Sequence, residues 1–467
     1  MADYDALIIG AGMSGLAAGI RLAHFDRRVL VLDRHYLWGG LNSFYRKAGY
    51  RFDVGLHAMT NYVPRGTRHA PLTKLLRQLR LEHADLDLVP QRSSRIQFGE
   101  RRLNFNNDFA YLRAEVAREF PRAIDGFDRL TALVREHDEL DLEAAPRPAR
   151  PVVLETLGDP LLADMLLCPL MYYGAAEEND MELGQFVVMW KSIFLEGFAR
   201  PQRGVRHLLE LVTARYKELG GALRMRCGVA ALHVEDGRVA SVELDSGERV
   251  TATTVISSAG RGETLALCDD GATRTREAAP RVGALSFVES ISVVGTPPAA
   301  RGHTDTIVFF NDAPDGFHYA RPALPVDVRS GVICCPNNFA FTTNPLRDQL
   351  MRVTSIARHD HWTSHASEEA YAADKLAWHA RALDVATRYS YDFRPDVVFT
   401  DVFTPRTIEK FTGHAGGAVY GSPDKVKHGR THLANLYLCG TDQGFLGIVG
   451  AMLSGISIAN RYVLAEQ

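Results

Sequence analysis

The stretch that most constrains this chain is Tyr4 to Asp33. It reads Tyr-Asp-Ala-Leu-Ile-Ile-Gly-Ala-Gly-Met-Ser-Gly, then a helical run, then Arg-Arg-Val-Leu-Val-Leu-Asp. Ala6 to Ile9 is an apolar run too short for a helix and stopped by glycine, which predicts a buried parallel strand. Gly10, Gly12 and Gly15 give the spacing G-x-G-x-x-G. In that spacing the first glycine makes a tight turn, the second lets the backbone approach a pyrophosphate, and the third lets the helix pack on the strand. A diphosphate then meets free N–H groups at a helix N-terminus, where the helix dipole favours negative charge. Asp33 ends the second strand, where a carboxylate accepts from ribose hydroxyls. A glycine turn alone would say little; with the strand before it, the helix after it and the acid beyond, it predicts a dinucleotide-binding βαβ unit.

The remaining composition is unexceptional. At 467 residues, 46% hydrophobic and 23% charged, the chain has room for two interlocked domains with sizeable cores. A net charge of −3 argues against a nucleic-acid partner or an electrostatic membrane anchor. The N-terminus runs directly into the first strand, leaving no room for a signal peptide. No uninterrupted apolar run reaches spanning length, since Phe445 to Leu464 is broken by glycines, Ser454, Asn460 and Arg461. Cys168, Cys227, Cys268, Cys334, Cys335 and Cys439 lack C-x-x-C spacing and read as buried thiols in a reducing compartment. The expectation is a soluble, cytoplasmic protein.

Beyond the first unit, Gly39-Gly40-Leu41 forms a second glycine turn, followed by Gly49 to His57. Residues from about 66 to 200 read as mainly helical. Asp108 is placed to cap a helix with Phe109, Leu112, Val116 and Phe120 on one face. Ala145 to Pro151 reads as a linker or turn that cannot be helical. Leu154 to Tyr173 and Phe186 to Phe198 are strongly apolar, fitting either a helical core or the wall of a long apolar tunnel. Val205, Leu208, Leu209, Val212 and Tyr216 mark an amphipathic helix ended by Gly220-Gly221. A hairpin is expected over Ala230 to Leu244 with its turn at Asp236-Gly237, then a strand ending at Ala259-Gly260. Alternation predicts strands at Leu285 to Val294, Thr306 to Phe310 and Gly331 to Cys335. The closing Asn435 to Asp442 is a strand ending in Gly440-Thr-Asp442, leading into an apolar helix that opens at Gly447-Ile448-Val449.

Ala6 to His57, Pro201 to Gly260 and Thr404 to Ser457 together resemble the phytoene desaturase, carotenoid isomerase and retinol saturase family of amine-oxidase-type flavoproteins. The closing Gly440 to Gly455 run is most similar to the isomerase and saturase branch. The resemblance implies an α/β protein with a Rossmann-type FAD-binding domain assembled from residues 1–65, 201–265 and 401–467. An α+β substrate domain is inserted, helical over 66–200 and an antiparallel sheet over 266–400. It implies FAD as cofactor, bound by Gly10, Gly12, Met13, Ser14, Gly15, Asp33, Arg34, Gly39, Gly40, Leu41, Val229, Ala259, Gly260, Gly440, Asp442, Gly447, Ile448 and Val449. Leu37-Trp38 stand where the family carries a basic residue, and Arg34 is the expected substitute. Asp442 is expected to hold a ribityl or ribose hydroxyl, with the helix after it aimed at the flavin N1/C2=O edge.

The implied chemistry is hydride transfer at flavin N5 with a C–C or C=C bond of an apolar polyene or isoprenoid: desaturation, saturation or cis–trans isomerisation. His57 is the polar candidate beside the isoalloxazine, able to relay a proton or only to hold flavin or backbone. Tyr420 and Phe445 are candidate apolar walls. No second G-x-G-x-x-G unit is present, so the electron acceptor or donor is external, and collecting an apolar substrate suggests transient membrane-surface contact. No metal site is expected: His359, His361 and His365 read as a polar helix start, and Arg135-Glu-His-Asp-Glu139 as a solvated face. Two other classes share the scaffold. An amine oxidase would place an aromatic cage before the flavin, and a GDP-dissociation-inhibitor-like carrier would bind lipidated partners without flavin.

Overall fold

The computed structural model describes residues 2–55, 57–138, 145–271, 279–342 and 346–465; Leu56 and Glu139, part of runs quoted above, lie outside them. The opening unit forms as strand Tyr4–Ile9, helix Met13–Ala23 and strand Val29–Asp33. These strands join a five-stranded sheet in the order Leu436–Leu438, Ala252–Ser257, Tyr4–Ile9, Val29–Asp33, Ala222–Met225, and every pairing in it is parallel. Both faces are covered, which is why the strands read as continuous apolar runs. Ala6, Ile8 and Val31 pack under the helices Met13–Ala23, Val205–Glu218 and Gly447–Ala459. Leu7, Ile9, Leu30 and Leu32 pack against the hairpin of Val229–Glu235 and Arg238–Leu244.

The second sheet has seven strands, in the order Val397–Phe403, Ser286–Val294, Gln349–Ala357, Ser330–Cys334, Ile307–Asn311, Ser94–Phe98, Arg101–Phe105. Its pairings are antiparallel except that of Ile307–Asn311 with Ser94–Phe98. Phe309, Val332 and Ile356 face the helices of the 109–198 region, while Val308, Phe310 and Ile333 face the helix Glu368–Ala386. The sheet draws two strands from the stretch expected to be helical. Helix Pro71–Leu79, beyond the expected division at residue 65, buries Leu72, Leu75, Leu76 and Leu79 in the core of the parallel sheet.

Two expectations are corrected and one open alternative is narrowed. Residues 149–151 are helical: Ala149–Leu157 starts after Pro148, with Pro151 in the first turn, where its missing N–H and fixed φ are tolerated. The helix Gly447–Ala459, extended by a π turn over Asn460–Leu464, is long and apolar enough by composition to cross a membrane. Half of it is buried, with Ile448, Val449, Met452 and Ile456 in the core, so here it serves as a core helix. Leu162, Met165, Leu166, Leu170, Phe186, Trp190 and Phe194 belong to a single buried core, which favours core packing over a tunnel wall for those side chains. Asp108 caps Phe109–Glu119 as expected, accepting from Ala110 N–H. The six cysteines are free thiols and five of them are buried.

Candidate active site

The C-terminal ends of the parallel strands open onto a cavity of about 770 Å³, within the range of small-molecule sites. Of the residues expected to hold a dinucleotide, Gly10, Gly12, Met13, Ser14, Asp33, Arg34, Gly39, Gly40, Leu41, Val229, Ala259 and Gly440 line it. Gly10 turns the chain at φ +100°, a region that favours glycine. A Cβ at Gly15 would overlap the carbonyl oxygen of Gly10, so the helix sits as close to the strand as backbone allows. The two glycine turns meet: Gly39 N–H donates to the Ala11 carbonyl at 2.8 Å, and Gly12 bridges Gly39.

This cavity suits a dinucleotide on three counts. No atom lies within 4 Å of a Cβ placed on Gly12, and no side chain caps the helix that Gly12 begins, so its N-terminal N–H groups are open to a diphosphate. Asp33 accepts from Ala11 N–H and His35 N–H, each at 2.8 Å, which fixes the carboxylate while leaving lone pairs for ribose hydroxyls. Arg34 and Lys410 on the walls supply the positive charge that Leu37-Trp38 do not.

The other candidates stand off the cavity wall. Gly260 begins the helix Arg261–Ala266. Gly447, Ile448 and Val449 open the closing helix, the latter two as core residues. Asp442, expected to hold a cofactor hydroxyl, is engaged by backbone N–H groups. It is 2% exposed, and its oxygens accept from Arg261 N–H at 2.6 Å and Ser422 N–H at 2.8 Å. Lys425 Nζ lies 3.7 Å away and donates to the Tyr420 carbonyl at 2.5 Å. The acid therefore ties the chain segments around 261, 422 and 442 together. Sequence reading missed Lys425, whose burial, only partly offset by Asp442, lowers it to about 8 from a usual 10.5.

His57 reaches the seven-stranded sheet. Its Nε2 is 3.3 Å from Glu289 Oε1 and 3.2 Å from Thr354 Oγ1. Glu289 also accepts from Arg352 Nε at 2.5 Å, and Arg352 Nη2 touches the same oxygen. Burial alone would raise the Glu289 carboxyl, but Arg352 and His57 outweigh it and hold it at about 2. Nearby, Asp401 accepts from Tyr45 Oη and Lys47 Nζ, each at 2.8 Å. Both clusters cross from the dinucleotide side to the second sheet. The signal that could have found them is the lone charge in each of two otherwise uncharged strands, at Glu289 and Arg352.

Tyr420 donates to the Tyr172 carbonyl, and its ring meets Phe287 edge-on at 6.1 Å. Phe445 lines a separate cavity with Lys425 and Gln185. His361 and His365 are not simply a solvated helix start. Both turn Nε2 to Asp374, at 2.5 and 3.0 Å, giving three groups of metal-ligating type within 4.8 Å. Asp374 lies on the next helix, outside the local spacing that was read.

A parallel sheet with two joined glycine turns, an open helix N-terminus and a fixed acid at the second strand end defines a dinucleotide-binding protein. A family model described as flavin-containing amine oxidoreductase matches residues 13–462, and the chain belongs to that family. It is an FAD-dependent oxidoreductase. It is 22% identical to prolycopene isomerase 2, chloroplastic, of an Oncidium hybrid cultivar, over 98% of this chain and 84% of that one. It is 24% identical to hydroxyneurosporene desaturase of Rhodobacter capsulatus, over 100% and 98% of the two chains. Among solved structures, an oxidoreductase from Methanosarcina mazei superposes with a TM-score of 0.68 at 15% identity, covering 98% of this chain and 100% of that one.

Proposed function

We propose that this flavoprotein acts on C–C or C=C bonds of an apolar polyene or isoprenoid, by desaturation, saturation or cis–trans isomerisation. What carries the reading is similarity along essentially the whole chain, substrate region included, to proteins named for prolycopene and hydroxyneurosporene. Bound FAD would supply hydride exchange at N5. The chain's own residues would position and desolvate. Gly10, Gly12, Asp33, Arg34, Gly39 and Gly40 would hold the dinucleotide end. His57 would face the reaction space with its protonation pattern set from behind. Glu289, held ionised, accepts from Nε2–H, leaving Nδ1 as the nitrogen able to take or return a proton. The electron partner would be external, and the substrate would be collected at a membrane surface.

The test is incubation of the FAD-loaded protein with cis- and trans-polyenes, with products separated by chromatography and peroxide measured alongside amines. Changed polyene isomers or unsaturation without amine-dependent peroxide support the reading; peroxide from amines with untouched polyenes overturns it. H57Q should lower turnover by about 10²-fold or more while leaving flavin content intact, and unchanged turnover would remove His57 from the chemistry.

A further inference from the structure

A second cleft, of about 810 Å³, lies where the hairpin Phe44–Lys47/Tyr50–Asp53 meets the start of helix Val205–Glu218 and strands Ser286–Val294 and Gln349–Ala357 of the seven-stranded sheet. Arg46 lies on the walls of both this cleft and the dinucleotide cavity. Seven arginines face four carboxylates across it. Among the described residues, Arg46, Arg51, Arg203, Arg206 and Arg347 have no carboxylate within 4 Å. Arg46 and Arg51 stand directly opposite each other in the hairpin register, a like-charge pairing that destabilises a ladder. Arg200 is 3% exposed, and although Nη2 reaches Asp53 at 2.5 Å, its Nε and Nη1 have no acceptor among the described residues. Burial, with Arg46 and Arg51 adding to it, lowers Arg206 below its usual value.

A buried guanidinium with two nitrogens left without acceptors and a facing pair of like charges are both unfavourable unless an anion completes them. Arginine forks match phosphate oxygens in pairs of parallel hydrogen bonds. We infer that this cleft binds the diphosphate group of a small organic molecule. The excess of arginines suits a group carrying more than one negative charge. Arg352 forms its inner wall and pairs with Glu289, which lies 3.3 Å from His57. A molecule anchored here by its diphosphate would lie beside the His57 cluster, as an isoprenoid diphosphate substrate or as a visiting reduced nicotinamide dinucleotide. The assignment rests on the cleft's own geometry and is independent of the polyene reading.

The test is calorimetric titration of the FAD-loaded protein with inorganic pyrophosphate, then with an isoprenoid diphosphate and with NADPH. Loading FAD keeps the first cavity filled. The wild type should bind pyrophosphate saturably, and R51Q/R347Q should bind it about a hundredfold more weakly, about tenfold for each guanidinium removed. Both side chains are exposed, so the double variant should fold, with a thermal midpoint equal to or above that of the wild type. Tighter binding of the isoprenoid diphosphate than of pyrophosphate would identify a substrate headgroup, and tighter binding of NADPH a reductant. No binding of any of the three, or equal binding by wild type and R51Q/R347Q, would overturn the assignment.

Discussion

Glu289 binds its proton far more weakly in the fold than an ordinary carboxyl does, at about 2 against a usual 4.5. A carboxyl depressed on folding stabilises fully above its unfolded value, and that stabilisation is lost as pH falls from about 4.5 towards 2. The shift corresponds to about 3 kcal/mol. E289Q should be less stable than wild type at pH 7, and the gap in urea midpoint should shrink to less than half on acidification to pH 3. Lys425 is depressed too, but there burial penalises the charged form that the lysine carries at neutral pH. Its depressed value means that the unfolded chain holds more protons between about 8 and 10.5, so the wild type should gain stability relative to K425M as pH rises through that window. Asp442 separates two readings in one experiment. If it is a tie between segments, D442A should lose about 3 kcal/mol in the FAD-free protein, because two buried N–H groups and Lys425 lose their partner. Lost FAD binding with unchanged FAD-free stability would return it to the role of cofactor ligand.

Elements divide sharply in how legible they were. The opening βαβ unit was readable because strand, glycine turn, helix and acid are contiguous, and each glycine has a local reason. The hairpin turning at Asp236-Gly237 and the cap at Asp108 were readable for the same reason. Strands Ser94–Phe98 and Arg101–Phe105 were not, since each alternates over only two apolar positions within a longer stretch that reads as helical, and they pair with each other and with Ile307–Asn311. The Glu289–His57 contact spans more than two hundred residues of chain, so no local pattern contains it. One element-level contact was also invisible in the sequence: a Cβ at Gly455 would overlap the Ser14 carbonyl, so Met13–Ala23 and Gly447–Ala459 cross backbone to backbone. G455V should force these helices apart and cost about 3 kcal/mol or more. It should release FAD as well, since Ser14 and Gly440 line the cavity, and thermal melts with flavin release measured together would show it.

At the scale of the molecule, three distant segments of chain make one cavity, and two ionic clusters, one buried at Glu289 and one joining Asp401 to the half-exposed Lys47, fasten it to the seven-stranded sheet. On the proposed reading, FAD would lie against the parallel sheet and substrate against the seven-stranded one, with His57 between them. The most direct measurement is the flavin absorbance of the FAD-loaded protein, recorded while an apolar polyene and, separately, an amine are titrated in without oxygen. The account predicts one flavin per chain, whose bands shift on adding polyene and stay unchanged with amine. Absence of bound flavin, or bands that bleach with amine and ignore the polyene, would contradict it.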